Sequence, residues 1–575
     1  MTAIQTESAI GAPREWSTDR AVPAPLRIAT LLTGGIIALL VVPPLLVLIY
    51  SALRTGDPFT PGAFSLSPLS SLFENQFYTA ALVNSIILGL LVSAIATVIG
   101  MLLAWLTLRT DLPARRALAI GILIPYLISP MAGSVAWLVL ASPRSGFLNI
   151  AFGYLGLPTV DVWGFGGTLW VMILYRTPIA FLVCGAALKA LDGALEDAAR
   201  AHGATAAGTL RTVTLPLMVP ALLGSFLLVF LTTIEEFSTP AIVGAPGGFV
   251  VATVRIYEQI SGFGGSWSLA TGLGISLLVI AMPLVLAQQW LLRGRTRQYE
   301  TTSGAYKPQT VHLGSLKWPA VLLSAFYLFV SSILPMMALL FSTFTKFTSS
   351  KISLDLFTLK NVERVFTDQT ILNSVWNSIW MVTVTSTIII MLILPVLYAA
   401  TRSQMKSARW FDILSTIPVA VPGTVVALAM VWIWVPLNHL IPIYSTAWII
   451  IIAWISRFLV YGKSVLSPVI QQVSTSFEEA SSVSGSSWLS TQWHIVFPLV
   501  RGALVVAWFL VFTTLIKETS ISVLLQSSNS AVIPVQIFAA AHLGDYNLAA
   551  TLSLLETVLT FALLPILFKS LRTRL

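Results

Sequence analysis

Long apolar runs separated by short polar stretches pattern this chain from near its start to its end. Twelve runs can be drawn, at residues 27–52, 79–108, 115–141, 167–190, 217–239, 267–292, 318–343, 372–401, 410–435, 445–468, 499–520 and 548–569. Each reaches the roughly 20 residues that a helix needs to cross a bilayer. Membrane strands would be about half as long and would alternate in polarity, because every second residue of a barrel strand faces the lumen. The expected fold is therefore an all-α integral membrane protein with about twelve transmembrane helices, since a helix satisfies all its own backbone hydrogen bonds in lipid.

Composition supports that reading over several soluble domains: 56% of the 575 residues are hydrophobic, 10% are charged and the mean hydropathy is +0.87. Residues 1–26 carry Arg14, Glu15, Asp19 and Arg20, and the first run holds Pro43 and Pro44 with no small-residue cleavage site behind it. A retained cytoplasmic tail is expected there, not a cleaved signal peptide. Cys184 is the single cysteine, which excludes a disulfide within the chain and argues against a thiol metal site. The net charge of +9 does not point to nucleic acid, because the basic residues sit in short loops where membrane sidedness explains them.

With the N-terminus inside, the inner segments hold 22 Lys and Arg and the outer segments 7, so both termini are placed in the cytoplasm. Four of the seven outer charges fall in one loop, 344–371. The polar segment 293–316 divides the chain into a first transmembrane domain at 27–292 and a second at 317–575. Six spans per half give the halves the same orientation, a parallel repeat. Short echoes mark it, such as Asn84 with Asn377 and Pro125 with Pro418.

The clearest echo is polar. LEDAARAHGATAAGTLRTVTLP at 195–216 and FEEASSVSGSSWLSTQWHIVFP at 477–498 place Glu196 with Glu478, Asp197 with Glu479, Gly203 with Gly485 and Pro216 with Pro498, every pair at the same separation along the chain. The acidic start suits the positive end of a short helix, the glycine permits a sharp reversal, and the proline is tolerated in the first turn of the next span. The run Asp197, Ala198, Ala199, Gly203, Val213, Pro216, repeated as Glu479, Ala480, Ser481, Gly485, Ile495, Pro498, resembles the EAA loop of bacterial binding-protein-dependent ABC importer permeases. That resemblance implies that each loop, with Glu196 and Glu478, forms a coupling helix seated on an ATPase subunit. It also implies two copies of a cytoplasmic ABC ATPase, a periplasmic substrate-binding protein and a bacterial inner membrane location. ATP and Mg would be bound by the partners, and no cofactor or metal is expected in this chain. YGKS at 461–464 is no phosphate loop, since Arg457 stands where G-x-x-x-x-G-K-[ST] requires glycine.

Intramembrane charges are costly unless paired or facing water, and they mark functional positions. Arg176 precedes Glu196, and Glu236 follows Pro216, by equal lengths of chain. Coiled as helix, that length puts both about 30 Å from the loop and at one depth. Arg176 is expected to pair with Glu235 or Glu236, and Arg457, Lys517 and Glu518 to repeat the arrangement. Ser238 and Ser520 add hydroxyls beside them, so these eight residues form the expected substrate path, with helix bracing as the plainer role. The double-six layout together with EEFSTPAIVG resembles the ferric-iron branch of these permeases, whose relatives carry sugar phosphates, aminoethylphosphonate, polyamines or thiamine. His542, Asp545 and Tyr546 are read as loop polarity and not as metal ligands. An ion-coupled secondary transporter is the rival class, which an inverted repeat would favour.

Overall fold

Where the chain reads Ser129-Pro130 or Val421-Pro422, an apolar run breaks into two helices; nine of the other runs fold as single long ones. The computed structural model describes residues 22–143, 145–191, 193–262, 265–293, 310–347, 354–563 and 565. Most of the expected tail at 1–26 and linker at 293–316 therefore lies outside the described residues. Among the described residues nine helices are long and apolar enough to cross a membrane, or up to twelve spans if each of three sharply bent pairs counts as one.

The first half comprises α1 (Ala24–Ala52), α2 (Gln76–Arg109), α3 and α4 (Arg115–Leu127 and Pro130–Ala141, bent by 95°) and α5 (Phe165–Ala190). It continues through α6 (Gly193–Ala201), α7 (Ala206–Ile234), α8 and α9 (Pro240–Gly247 and Ala252–Ser261, bent by 87°) and α10 (Trp267–Arg293). The second half comprises α11 (Gly314–Thr343), α12 (Gln369–Arg402), α13 and α14 (Lys406–Ala420 and Gly423–Leu437, bent by 110°) and α15 (Ala447–Gln472). It ends with α16 (Ser476–Val483), α17 (Trp488–Leu515), α18 (Ile533–His542) and α19 (Tyr546–Ala562). The expected run 548–569 corresponds to α19 as far as Ala562; residues 564 and 566–569 lie outside the described residues. Segment 240–261, expected to lie in an outer loop, folds as α8 and α9, which are individually too short to register as a span.

Proline shapes the start of both α7 and α17. A π turn at Leu210–Thr214 precedes Pro216, and another at Gln492–Val496 precedes Pro498. Proline donates no hydrogen bond and its ring collides with the carbonyl four residues back, so one widened turn lets the helix continue through it.

The two halves interlock. α1 packs against α12, α13, α14 and α15 of the second half, and α11 packs against α4, α5 and α3 of the first. Ser456 Oγ donates to the Leu40 carbonyl at 2.8 Å, and Tyr327 Oη donates to the Leu174 carbonyl at 2.9 Å, so each exchanged helix is held by a cross-half hydrogen bond. Within the first half, α2 and α5 approach as closely as glycine allows. A Cβ at Gly100 would lie 2.6 Å from Ala180 Cβ and 2.7 Å from the Phe181 backbone nitrogen. Close backbone approach at small residues is the main attraction between helices in lipid, where apolar surface alone gives no preference. The end of the linker is clipped to the first half: Val311 N–H donates to the Arg109 carbonyl at 2.8 Å, and Asp111 accepts from Leu313 N–H at 3.0 Å.

Candidate functional site

All eight residues of the expected substrate path, Arg176, Glu235, Glu236, Ser238, Arg457, Lys517, Glu518 and Ser520, line one cavity of about 160 Å³ between the halves. Arg176 on α5 forms an ion pair with Glu236 just beyond α7, and its Nη2 also donates to the Thr232 carbonyl at 2.8 Å. Glu236 accepts in addition from the Ser238 backbone N–H at 3.0 Å.

The second half does not repeat this arrangement. Arg457 on α15 pairs across the halves with Glu235 and not with Glu518, its Nη2 2.5 Å from the Glu235 carboxylate. Its Nη1 donates to the Val421 carbonyl at 2.6 Å, one of the groups left unpaired where α13 ends before Pro422. Glu518 is satisfied without an arginine, accepting from Trp454 Nε1 at 3.0 Å, Ile521 N–H at 2.7 Å and Ser522 Oγ at 2.9 Å. Lys517 also crosses between halves, donating to the Tyr126 carbonyl at 2.8 Å in the last turn of α3. Lys517 stands in register with Glu235, so the halves present opposite charges at that position, and the carboxylate that Arg457 pairs with belongs to the first half.

Several cavity residues were not singled out from sequence. Tyr126, Tyr175 and Tyr461 line it and carried no distinguishing signal. Outside that lining, Glu556 on α19 is 1% exposed and accepts from Ser129 Oγ at 2.5 Å, at the break between α3 and α4. An acidic residue inside the run 548–569 was a signal that could have found it.

The two polar loops form α6 and α16. Gly203 and Gly485 follow them at φ +86° and +79° with open space around each, so backbone conformation alone selects glycine there. Ala198, Ala480, Pro216 and Pro498 are exposed, and Ala199 is half-buried. The acidic doublets divide their roles, which corrects the expectation that both members face a partner. Glu196 is 2% exposed and lies 3.8 Å from Arg109 Nε, while Thr214 Oγ1 donates to it at 2.8 Å. Glu478 likewise turns inward to Arg402 at 3.3 Å and accepts from Tyr398 Oη at 2.7 Å. Asp197 and Glu479 stay half-buried, and Asp197 lies 3.7 Å from Arg200 on the same helix. The open faces of these loops carry apolar side chains that sequence reading passed over, with Leu195 52%, Phe477 51% and Val483 89% exposed.

Other sequence features are structural. Lys463 of YGKS pairs with Asp412 at 2.6 Å. Asp545 pairs with Arg364 at 2.7 Å, and His542 stacks on Phe538 at 5.8 Å between ring centres.

Comparison with known proteins places a family pattern described as "binding-protein-dependent transport system inner membrane component" on this chain twice, at residues 96–297 and 394–575. The ferric transport system permease protein FbpB of Actinobacillus pleuropneumoniae is 27% identical over 540 residues, covering 91% of this chain and 75% of the relative. The sn-glycerol-3-phosphate transport system permease protein UgpA of Yersinia pestis is 27% identical over 250 residues, covering 41% of this chain and 84% of the relative. Among solved structures, a bacterial alginate ABC transporter in complex with an alginate-bound periplasmic protein matches with a TM-score of 0.35 and 22% identity, covering 42% of this chain and 85% of that chain.

Proposed function

Since the chain belongs to the binding-protein-dependent transport system inner membrane components and carries the family pattern twice, we propose that it forms the entire membrane-spanning unit of an ABC importer whose substrate is ferric iron. The observation that carries the transport reading is the convergence of charged groups from both halves on one cavity between them. Relatives named as ferric permeases, aligned with most of the chain, support iron as the cargo.

The cavity's chemistry fits a gate more closely than a cage. Glu235, Glu236 and Glu518 already have guanidinium, indole or backbone donors, so an ion passing here would have to displace them. A periplasmic binding protein therefore holds the ion, and the permease supplies a path that opens when the cross-half contacts of Arg457 and Lys517 break. Two ATPase subunits seat on α6 and α16, bind ATP and Mg, and drive those contacts open and closed in turn. Both termini lie on the ATPase side of the inner membrane.

Reconstitution with the partner ATPase and binding protein tests this reading. Radioactive iron delivered as the loaded binding protein is expected to accumulate in proteoliposomes only with ATP. ATP-driven uptake of glycerol 3-phosphate without iron uptake would reassign the cargo, and uptake driven by an ion gradient without ATP would overturn the importer reading.

A further inference from the structure

Arg109 is the last residue of α2 and is 4% exposed. Its Nη2 donates to the Leu188 carbonyl at 2.7 Å and the Leu191 carbonyl at 3.0 Å, both at the C-terminal end of α5. Its Nε faces Glu196 of α6, whose other oxygen is held by Thr214 in the π turn that leads into α7. One guanidinium thus joins the ends of α2 and α5 to α6 and, through Glu196, to α7.

The join recurs in the second half. Arg402, the last residue of α12, donates from Nη2 to the Val473 carbonyl and, at 3.2 Å, to the Ile470 carbonyl, at the end of α15. Its Nε lies 3.3 Å from Glu478 of α16. Tyr398 Oη completes the knot, donating to Glu478 and accepting from Gln492 Nε2 at 2.6 Å in the second π turn. The two arginines stand further apart in the chain than the two glutamates do, so the join has been kept although the spacing between its members differs in the two halves.

The chemistry suits a rigid joint. A planar guanidinium can serve helix-end carbonyls and a carboxylate at once, which a lysine ammonium cannot do in the same geometry. The orphan carbonyls and the negative end of the helix dipole both favour a cation there. α5 also carries Arg176 into the cavity, and α15 carries Arg457. Each of these cavity arginines stands about 18–20 Å along its helix from the first carbonyl in its joint.

We propose that Arg109 and Arg402 are positioning residues that lock each interfacial helix to the arginine-bearing span of its own half, so that displacement of α6 or α16 reaches the cavity. The proposal rests on the reading that α6 and α16 seat ATPase subunits. Neither arginine touches the cavity or the exposed face of α6 or α16.

The test uses the complete importer in proteoliposomes, with ATPase and iron-loaded binding protein, and compares the unchanged chain with Arg109→Lys and Glu196→Gln. ATPase is expected to copurify at unchanged stoichiometry and hydrolysis to persist, while iron moved per ATP falls at least about tenfold in Arg109→Lys, which represents about 1.4 kcal/mol of lost coupling. Glu196→Gln retains an acceptor for Thr214 and is expected to lower the same ratio; it decides the matter if Arg109→Lys does not fold. An unchanged ratio, or transport and hydrolysis falling in proportion, overturns the joint. Failure of the unchanged chain to bind any ATPase would instead overturn the docking reading beneath it.

Discussion

Replacing Arg457 by Met removes the ion pair with Glu235 that joins the halves inside the cavity, and the structure ranks its cost against the reciprocal change. Among the described residues Glu235 has no hydrogen-bond donor besides Arg457, so Arg457→Met leaves its carboxylate without a hydrogen-bonded partner. Breaking a buried pair from one side costs about 3–5 kcal/mol. The Glu235 side chain is 22% exposed towards the cavity, so water relieves part of the loss and the lower end, about 3 kcal/mol, is expected. Glu235→Gln is milder: Arg457 keeps the Val421 carbonyl and can still donate to the amide oxygen, so only charge assistance is lost, about 1.5 kcal/mol. In the double variant neither group is stranded, and its cost is expected to fall short of the sum by about 1–2 kcal/mol. Detergent-solubilised protein titrated with a denaturing surfactant, followed by tryptophan fluorescence, measures all four corners of the cycle. Additivity within about 0.5 kcal/mol, or a greater cost for Glu235→Gln than for Arg457→Met, would refute the pairing as described.

Gly100→Ala is expected to lower the thermal midpoint, because its Cβ would meet Phe181 backbone, whereas Gly35→Ala, with nothing within 4 Å of its Cβ, is expected to be neutral or stabilising; equal shifts would refute the close-packing argument for α2 and α5. Exposed Thr205 and Ser487, changed to cysteine after Cys184→Ser, are expected to resist impermeant thiol reagents in intact spheroplasts and to react once the membrane is opened. Labelling from outside would invert the topology.

How much of this was legible depended on the length scale of each signal. Apolar runs long enough to span a bilayer stand out because lipid imposes one requirement on all of them, so the nine long helices and the bent runs at 115–141 and 410–435 could be placed. α8, α9 and α18 fell below that length and were read as loop. The exchange of α1 and α11 between halves left no mark in the sequence, because any apolar surface satisfies another in lipid. The cavity was legible as a set of eight residues, since charge inside a span is rare. Its pairing was only partly so: Arg176 meets Glu236 through a shared depth, but Arg457 follows the charge reversal between Glu235 and Lys517 and not the repeat. The inward turn of Glu196 and Glu478 was hidden because their partners Arg109 and Arg402 lie far off in sequence, at the ends of other spans.

Copurification of ATPase with charge-reversed loops tests the central claim most directly. On the proposed reading one chain grips two ATPase subunits, one at α6 and one at α16, so the unchanged chain is expected to retain two ATPase subunits. Asp197→Lys and Glu479→Lys are each expected to lower that number or to abolish ATP-driven uptake, while the chain stays folded and inserted. Both variants retaining two subunits and transporting at the unchanged rate would contradict it.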